Sequence, residues 1–218
     1  MRRILILFAC ILLATAAAAK PHVINFGTWM PVKLFLGPDE TKNVEMKVRP
    51  LRVDGAVKEF TTGEPYDVTD RVFVVRKAYR LNDTLPEDGK TAPRWKWQRG
   101  GWLMVDRNTG RVSQVTLPLF DPFYSEVSWY RDYAAYCGLS DAGDKVLAMI
   151  VQLGVRKPVL RRELHAANGG DTPDSECGTP KWERQPMRVT FSPKGAQPVT
   201  FAVRGHAADI DTTADDQP

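Results

Sequence analysis

The stretch at 125–138, Ser-Glu-Val-Ser-Trp-Tyr-Arg-Asp-Tyr-Ala-Ala-Tyr-Cys-Gly, sets Arg131 beside Asp132 in a run otherwise composed like a buried strand. If the backbone there is extended, Val127, Trp129, Arg131, Tyr133, Ala135 and Cys137 share one face, and Ser128, Tyr130, Asp132, Ala134 and Tyr136 share the other. The second set reads as the wall of a groove that takes a sugar: the rings of Tyr130 and Tyr136 stack on its apolar face while Asp132, with Ser128, binds its hydroxyls. A glycosidase needs a second carboxylate several ångströms away. Glu126 shares the face but would lie about 20 Å along the strand, so the second acid must come from elsewhere. A structural reading competes: Arg131 lies on Trp129 or Tyr133 and pairs across strands, while Asp132 caps a turn, because an unpaired buried charge costs several kcal/mol.

Other chemistries find little in the chain. There is no G-x-S-x-G, no H-E-x-x-H and no glycine loop that cradles phosphate, and His22, His165 and His206 are scattered. No catalytic residue is nominated and no cofactor or metal is expected. The oxygen-rich run at 168–176 lacks calcium-loop spacing and reads as a solvated loop. Arg94-Trp95-Lys96-Trp97-Gln98-Arg99 mixes cations with indoles, as nucleic-acid and anionic-glycan sites do. In a strand, however, Trp95 and Trp97 share one face and Arg94, Lys96 and Gln98 the other, the pattern of a half-buried strand. The basic cluster at 156–162 reads as a solvated sheet edge, since lysine, arginine and proline discourage edge-to-edge pairing.

The N-terminal residues point to export. Arg2 and Arg3 precede an uncharged apolar run at 4–14, and Ala16 to Ala19 supply small residues for cleavage after Ala19. Residues 1–19 are therefore expected to be a signal peptide, too short in its apolar run to span a bilayer. Cleavage would leave 30 − 2 = 28 basic side chains and 3 − 1 = 2 cysteines. An oxidising compartment pairs the remaining two, so a Cys137–Cys177 disulfide is expected. The mature chain is expected to be periplasmic or secreted, with no transmembrane segment. A glycan or an envelope protein is the expected partner, and nucleic acid is not.

The elements that must position these residues read as strands. β-Branched and aromatic runs occur at 22–30, 44–53, 71–81, 95–105, 111–117, 126–137, 145–153, 187–191 and 199–204, separated by turn residues. Asp54-Gly55 predicts a two-residue hairpin turn, and three more hairpins are expected at 105–112, 140–143 and 192–195. The fold class is all-β, antiparallel meanders forming a two-sheet sandwich, with a small propeller-like arrangement as the alternative. One domain is expected over 20–206. Residues 207–218, whose only charges are Asp209, Asp211, Asp215 and Asp216, read as a disordered acidic tail. Without those four acids the folded part carries 28 basic against 26 − 4 = 22 acidic groups, a net of +6.

Two resemblances bear on this reading. The segment from Trp102 to Val112 resembles the hairpin of a β-propeller blade, where a V-D-x-x-T-G-x-V turn recurs, and Ser140-Asp141-Ala142-Gly143 resembles the turn of a following blade. The string from Trp129 to Gly138 is similar to uncharacterised exported bacterial β-rich proteins, which implies export and brings no activity. The function expected is non-catalytic binding or a structural role at the cell envelope. The alternative is an extracellular polymer hydrolase using Asp132 in an aromatic groove.

Overall fold

A computed structural model describes residues 21–35, 44–84, 92–164 and 177–210. The leader at 1–19, the run at 168–176, His165 and residues 211–218 lie outside them. Every element among the described residues is a strand: β1 (Ile24–Phe26), β2 (Met30–Leu34), β3 (Val44–Val53), β4 (Ala56–Asp67), β5 (Val72–Asn82), β6 (Trp95–Asp106), β7 (Val112–Val115), β8 (Ser128–Tyr130), β9 (Tyr133–Leu139), β10 (Val146–Gln152), β11 (Leu160–Glu163), β12 (Lys181–Glu183), β13 (Arg188–Phe191), β14 (Val199–Arg204) and β15 (Ala207–Ile210). The all-β expectation holds.

Three sheets result. The first seven strands form one, in the order β1-β3-β2-β6-β5-β4 with β7 beside β6, and an added β3–β4 pairing closes β2, β3, β4, β5 and β6 into a ring. Four steps of that ring are antiparallel; with five strands in a meander the last must be parallel, and β2 meets β6 in parallel through one register pair, Leu34 with Trp97. All five strands contribute to one apolar cluster that includes Leu34, Met46, Val48, Phe60, Ala78 and Trp97. On the opposite face of β3, Leu51 belongs to a second cluster with Phe73, Val75, Leu103 and Val105.

The remaining strands form two four-stranded sheets, β11-β10-β9-β8 and β12-β13-β14-β15. They pack face to face: Tyr133, Ala135, Ala148 and Ile150 of the first meet Val189, Phe191, Phe201 and Val203 of the second. This pair is the two-sheet sandwich. The other face of the β8–β11 sheet carries Ala134, Tyr136, Leu147 and Met149, and through Leu117, Phe120, Val127 and Trp129 it reaches Val74 and Trp102 of the ring sheet. The β8–β11 sheet is therefore the middle of three layers. Two-sided burial explains why Tyr133 to Gly138 is continuously apolar rather than alternating. The disulfide joins Cys137 to Cys177 with Cα atoms 6.1 Å apart, and no helix among the described residues is long and apolar enough to cross a membrane.

The predicted turns appear with the expected chemistry. Asp54 and Gly55 both adopt positive φ between Val53 and Ala56, as the two-residue hairpin requires. Asp106 Oδ1 accepts from the amides of Asn108 and Thr109, opening the turn that Gly110 closes. The two hairpins likened to propeller blades belong to different sheets. The solvated edge at 156–162 overlaps β11, an outer strand of the middle sheet with Arg161 and Arg162 exposed.

Three readings need correction. The run at 22–30 is not one strand: β1 ends at Phe26 and β2 begins at Met30, each pairing with a different part of β3. The run at 126–137 is not one strand. Arg131 and Asp132 form the two-residue turn between β8 and β9, with Tyr130 opposite Tyr133 and Arg131 at φ 52°. The left-handed conformation costs a residue with a side chain of the order of 1 kcal/mol. The turn is held by Leu153 N donating to Asp132 O at 2.9 Å. The acidic tail does not begin at 207: residues 207–210 pair with β14 through a Gly205-His206 turn, because backbone pairing with an existing edge needs no apolar side chain.

Candidate functional site

The hairpin turn disperses the expected groove wall. Ser128 and Tyr130 lie toward the β12–β15 sheet, where Trp182 Nε1 donates to Ser128 O at 3.1 Å and the Tyr130 and Trp182 ring centroids are 5.7 Å apart. Tyr136 lies in the opposite interface, fully buried, and its hydroxyl donates to Pro118 O at 2.7 Å. Burial raises the Tyr136 pKa, so the phenol stays neutral. Asp132 sits at the turn and accepts from Gln152 Nε2 at 2.7 Å, while Gln152 Oε1 bonds His206 Nδ1 at 2.6 Å. Arg131 does not pair with Asp132; its guanidinium stands over the Tyr130 ring, 5.4 Å from the centroid. Ser128, Tyr130, Asp132 and Tyr136 thus form no common surface. Gln152 does line a cleft of about 400 Å³ where the ring sheet meets the middle sheet, with Gln114, Thr116, Leu153 and Arg156.

Glu126 is likewise committed elsewhere. It accepts from Arg76 Nη1 at 2.9 Å and from Arg99 Nη1 at 2.8 Å. Arg76 is buried, and its Nη2 also donates to Pro122 O at 2.8 Å. Burial lowers the pKa of this guanidinium and Glu126 opposes the shift. The arrangement is a clamp that fastens the 118–126 segment to the ring sheet, and it leaves neither acid free for paired-carboxylate chemistry.

An open, mixed aromatic and cationic surface occurs instead where the ring closes. Because β2 and β6 share only one register pair, their strands splay, leaving a hollow of about 490 Å³ between residues 32–35 and 95–97. Phe35 N donates to Trp97 O at 2.8 Å, a backbone bond across the seam beyond the Leu34–Trp97 pair. Trp97 meets Phe60 edge to face at 5.2 Å and covers the ring's apolar cluster. Trp95, two residues earlier on the same face, remains 57% exposed. The β5–β6 register sets Arg80 opposite Trp97 and two pairs from Trp95, on the same face, so its guanidinium lies 5.5 Å from both ring centroids. Arg80 is thus stacked on indoles rather than on a carboxylate. On the other face of β6, Lys96 Nζ is 4.0 Å from the Phe35 ring centroid and bonds Asp83 at 2.8 Å, which holds the Asp83 carboxyl below its ordinary range.

The alternation of Trp95 and Trp97 is correctly legible as a strand with one face toward a core. The exposure of Trp95 is not, since it depends on the splay between β2 and β6, and nothing in the sequence marks Arg80 or Phe35. Chemically, the exposed indole offers a flat apolar face beside a fixed guanidinium. Such a surface stacks a ring and pairs with an anionic substituent on it. Comparison with protein-family models, curated proteins and solved structures gives no match to this chain.

Proposed function

We propose that the protein is an extracytoplasmic β-domain that binds an acidic glycan without chemical turnover, and that Trp95 with Arg80 is the contact surface. The observation that carries this reading is the exposed Trp95 indole, held on a strand and flanked by a cation that has no carboxylate of its own among the described residues. A sugar ring stacks on the indole while its carboxylate or phosphate meets Arg80. The net charge over 20–210, 28 basic against 26 − 3 = 23 acidic groups or +5, favours an anionic ligand over a neutral one. The leader sequence and the Cys137–Cys177 bond support a location outside the cytoplasm, where such polymers occur.

The test is calorimetric titration of the mature chain with a short galacturonate oligomer, and with a neutral glucose oligomer of the same length. The acidic oligomer is expected to bind, more weakly as salt rises, and Trp95→Ala to weaken binding about tenfold, equivalent to about 1.4 kcal/mol. Asp132→Asn is expected to leave binding unchanged. Absence of binding by the parent chain, or equal binding by Trp95→Ala, rejects the reading.

A further inference from the structure

Two other aromatic side chains are exposed beside one another on the segment that joins the ring sheet to the middle sheet: Phe123, 42% exposed, and Tyr124, 48%. Most large exposed apolar residues are scattered singly, but these two sit at the tip of a turn fixed on every side. Asp121 Oδ1 accepts from Phe123 N at 2.7 Å and Tyr124 N at 3.3 Å, and Ser125 N donates to Asp121 O at 2.7 Å. Ser125 Oγ, buried, donates to Cys137 O at 2.6 Å. The Arg76 and Arg99 bonds to Glu126 and the Arg76 bond to Pro122 O tie the same turn to the ring sheet. Between Leu119 O and Leu139 N a 2.9 Å bond ties it to the middle sheet, at a point where Gly138 leaves room: a Cβ there would stand 2.9 Å from Leu119 O. The rings are therefore presented in a fixed position rather than on a loose loop.

Strand register relates that tip to the Trp95 surface. Trp95, Trp97 and Arg99 alternate onto one face of β6. The connecting segment packs beside Trp102 through Leu117, Val127 and Trp129, while its turn reaches along β6 to Arg99. From Trp102 toward Arg99 is the direction of Trp97 and Trp95. Arg99 itself is about 13 Å from Trp95 at strand spacing, more than one sugar ring spans. Cations stand along the interval, with Arg80 at one end and Arg99, its side chain 30% exposed, at the other.

We infer that Trp95, Arg80, Arg99, Phe123 and Tyr124 form one continuous track for a linear acidic polysaccharide, several sugar units long. This rests on the Trp95 reading above and extends it from a single contact to a chain of contacts, so that ligand length becomes a determinant of affinity. Rigid aromatic platforms favour this, because their conformational freedom is already lost before the ligand arrives.

The experiment measures affinity of the mature chain for galacturonate oligomers of two and eight units at one ionic strength. An octamer offers seven overlapping dimer frames, so frame statistics alone give a gain of about sevenfold; the track predicts a gain of about fiftyfold or more. A Phe123→Ala/Tyr124→Ala double variant is expected to bind the dimer as the parent does and to show only the statistical gain. Trp95→Ala is expected to weaken both oligomers. A parent gain of about sevenfold, or a double variant that keeps the full gain, overturns the track while leaving the Trp95 contact intact. A parent that binds neither oligomer overturns both readings, and a double variant that loses its folded circular dichroism is replaced by Tyr124→Ser alone, judged by the same two oligomers.

Discussion

Strands β9 and β6 run through the same molecule under opposite conditions. β9 has an antiparallel neighbour on each side and a packed layer against each face, so Ala134, Ala135 and Tyr136 are all inaccessible. At Trp95–Trp97, β6 has β5 on one side and only a single register pair with β2 on the other. The first strand is buried from Tyr133 to Gly138 and offers a ligand no accessible side chain there. The second leaves a ring and a guanidinium facing outward because its neighbour diverges. A search for function in the most apolar, most distinctive string of the sequence therefore leads to the core, and the accessible chemistry lies where pairing is thinnest.

That contrast can be broken or sharpened by measurement. The largest effect is expected from Cys137→Ala/Cys177→Ala, which releases a loop with a sequence separation of 40 beside β9. In the chain-entropy model the loss is about 4 kcal/mol, read from denaturant unfolding, and a parent chain whose intact mass does not change on reduction would remove the basis for it. Next comes Trp97→Ala, which opens the ring's apolar cluster and is expected to cost about 3 kcal/mol. Trp95→Ala, on the same face of the same strand, is expected to change stability by less than about 0.5 kcal/mol. If the two tryptophans cost the same, the distinction between covered and open ends of β6 is wrong.

Smaller effects follow from the charged groups. Glu126→Gln leaves buried Arg76 without its carboxylate and is expected to cost about 1–2 kcal/mol, moderated by the partial exposure of Glu126. Asp132→Asn, at an accessible turn with one amide partner, is expected to fall within about 0.5 kcal/mol. Acid titration gives the last test. The Arg71 guanidinium holds the Asp106 carboxyl down from 3.8 to about 2. Its folded-state pKa being depressed, the contribution is present above about pH 4 and is lost as pH falls toward 2. Asp106→Asn should flatten the pH dependence of stability in that window, and an unchanged slope would refute the assignment.

Much of the fold was legible in the chain, for local reasons. The bounds of β3 and β14 follow from their apolar runs, and the turns at Asp54-Gly55 and Asp106 to Gly110 from residues that tolerate positive φ or cap amides. The disulfide follows from counting cysteines. The turn at Arg131-Asp132 is hidden because the left-handed position falls on Arg131 rather than on a glycine, asparagine or aspartate, and its place is set by pairing between β8 and β9 and by Gln152 and Leu153 at the end of β10. β4 was missed because Lys58, Glu59, Gly63, Glu64 and Pro65 interrupt any alternation, and its register shifts against both neighbours. The Trp95 surface was seen as a basic and aromatic mixture, but its exposure depends on where β2 arrives, sixty residues earlier in the chain, which no local pattern encodes.

The empty position at Gly138 has a reach beyond its own strand. An alanine there would set its Cβ 2.9 Å from the Leu119 carbonyl oxygen and 3.1 Å from Met149, so the contact between β9 and the connecting segment would have to shift. A single absent methyl group, deep between two layers, therefore lets the connecting segment sit close against β9, and with it the turn that carries the two exposed rings.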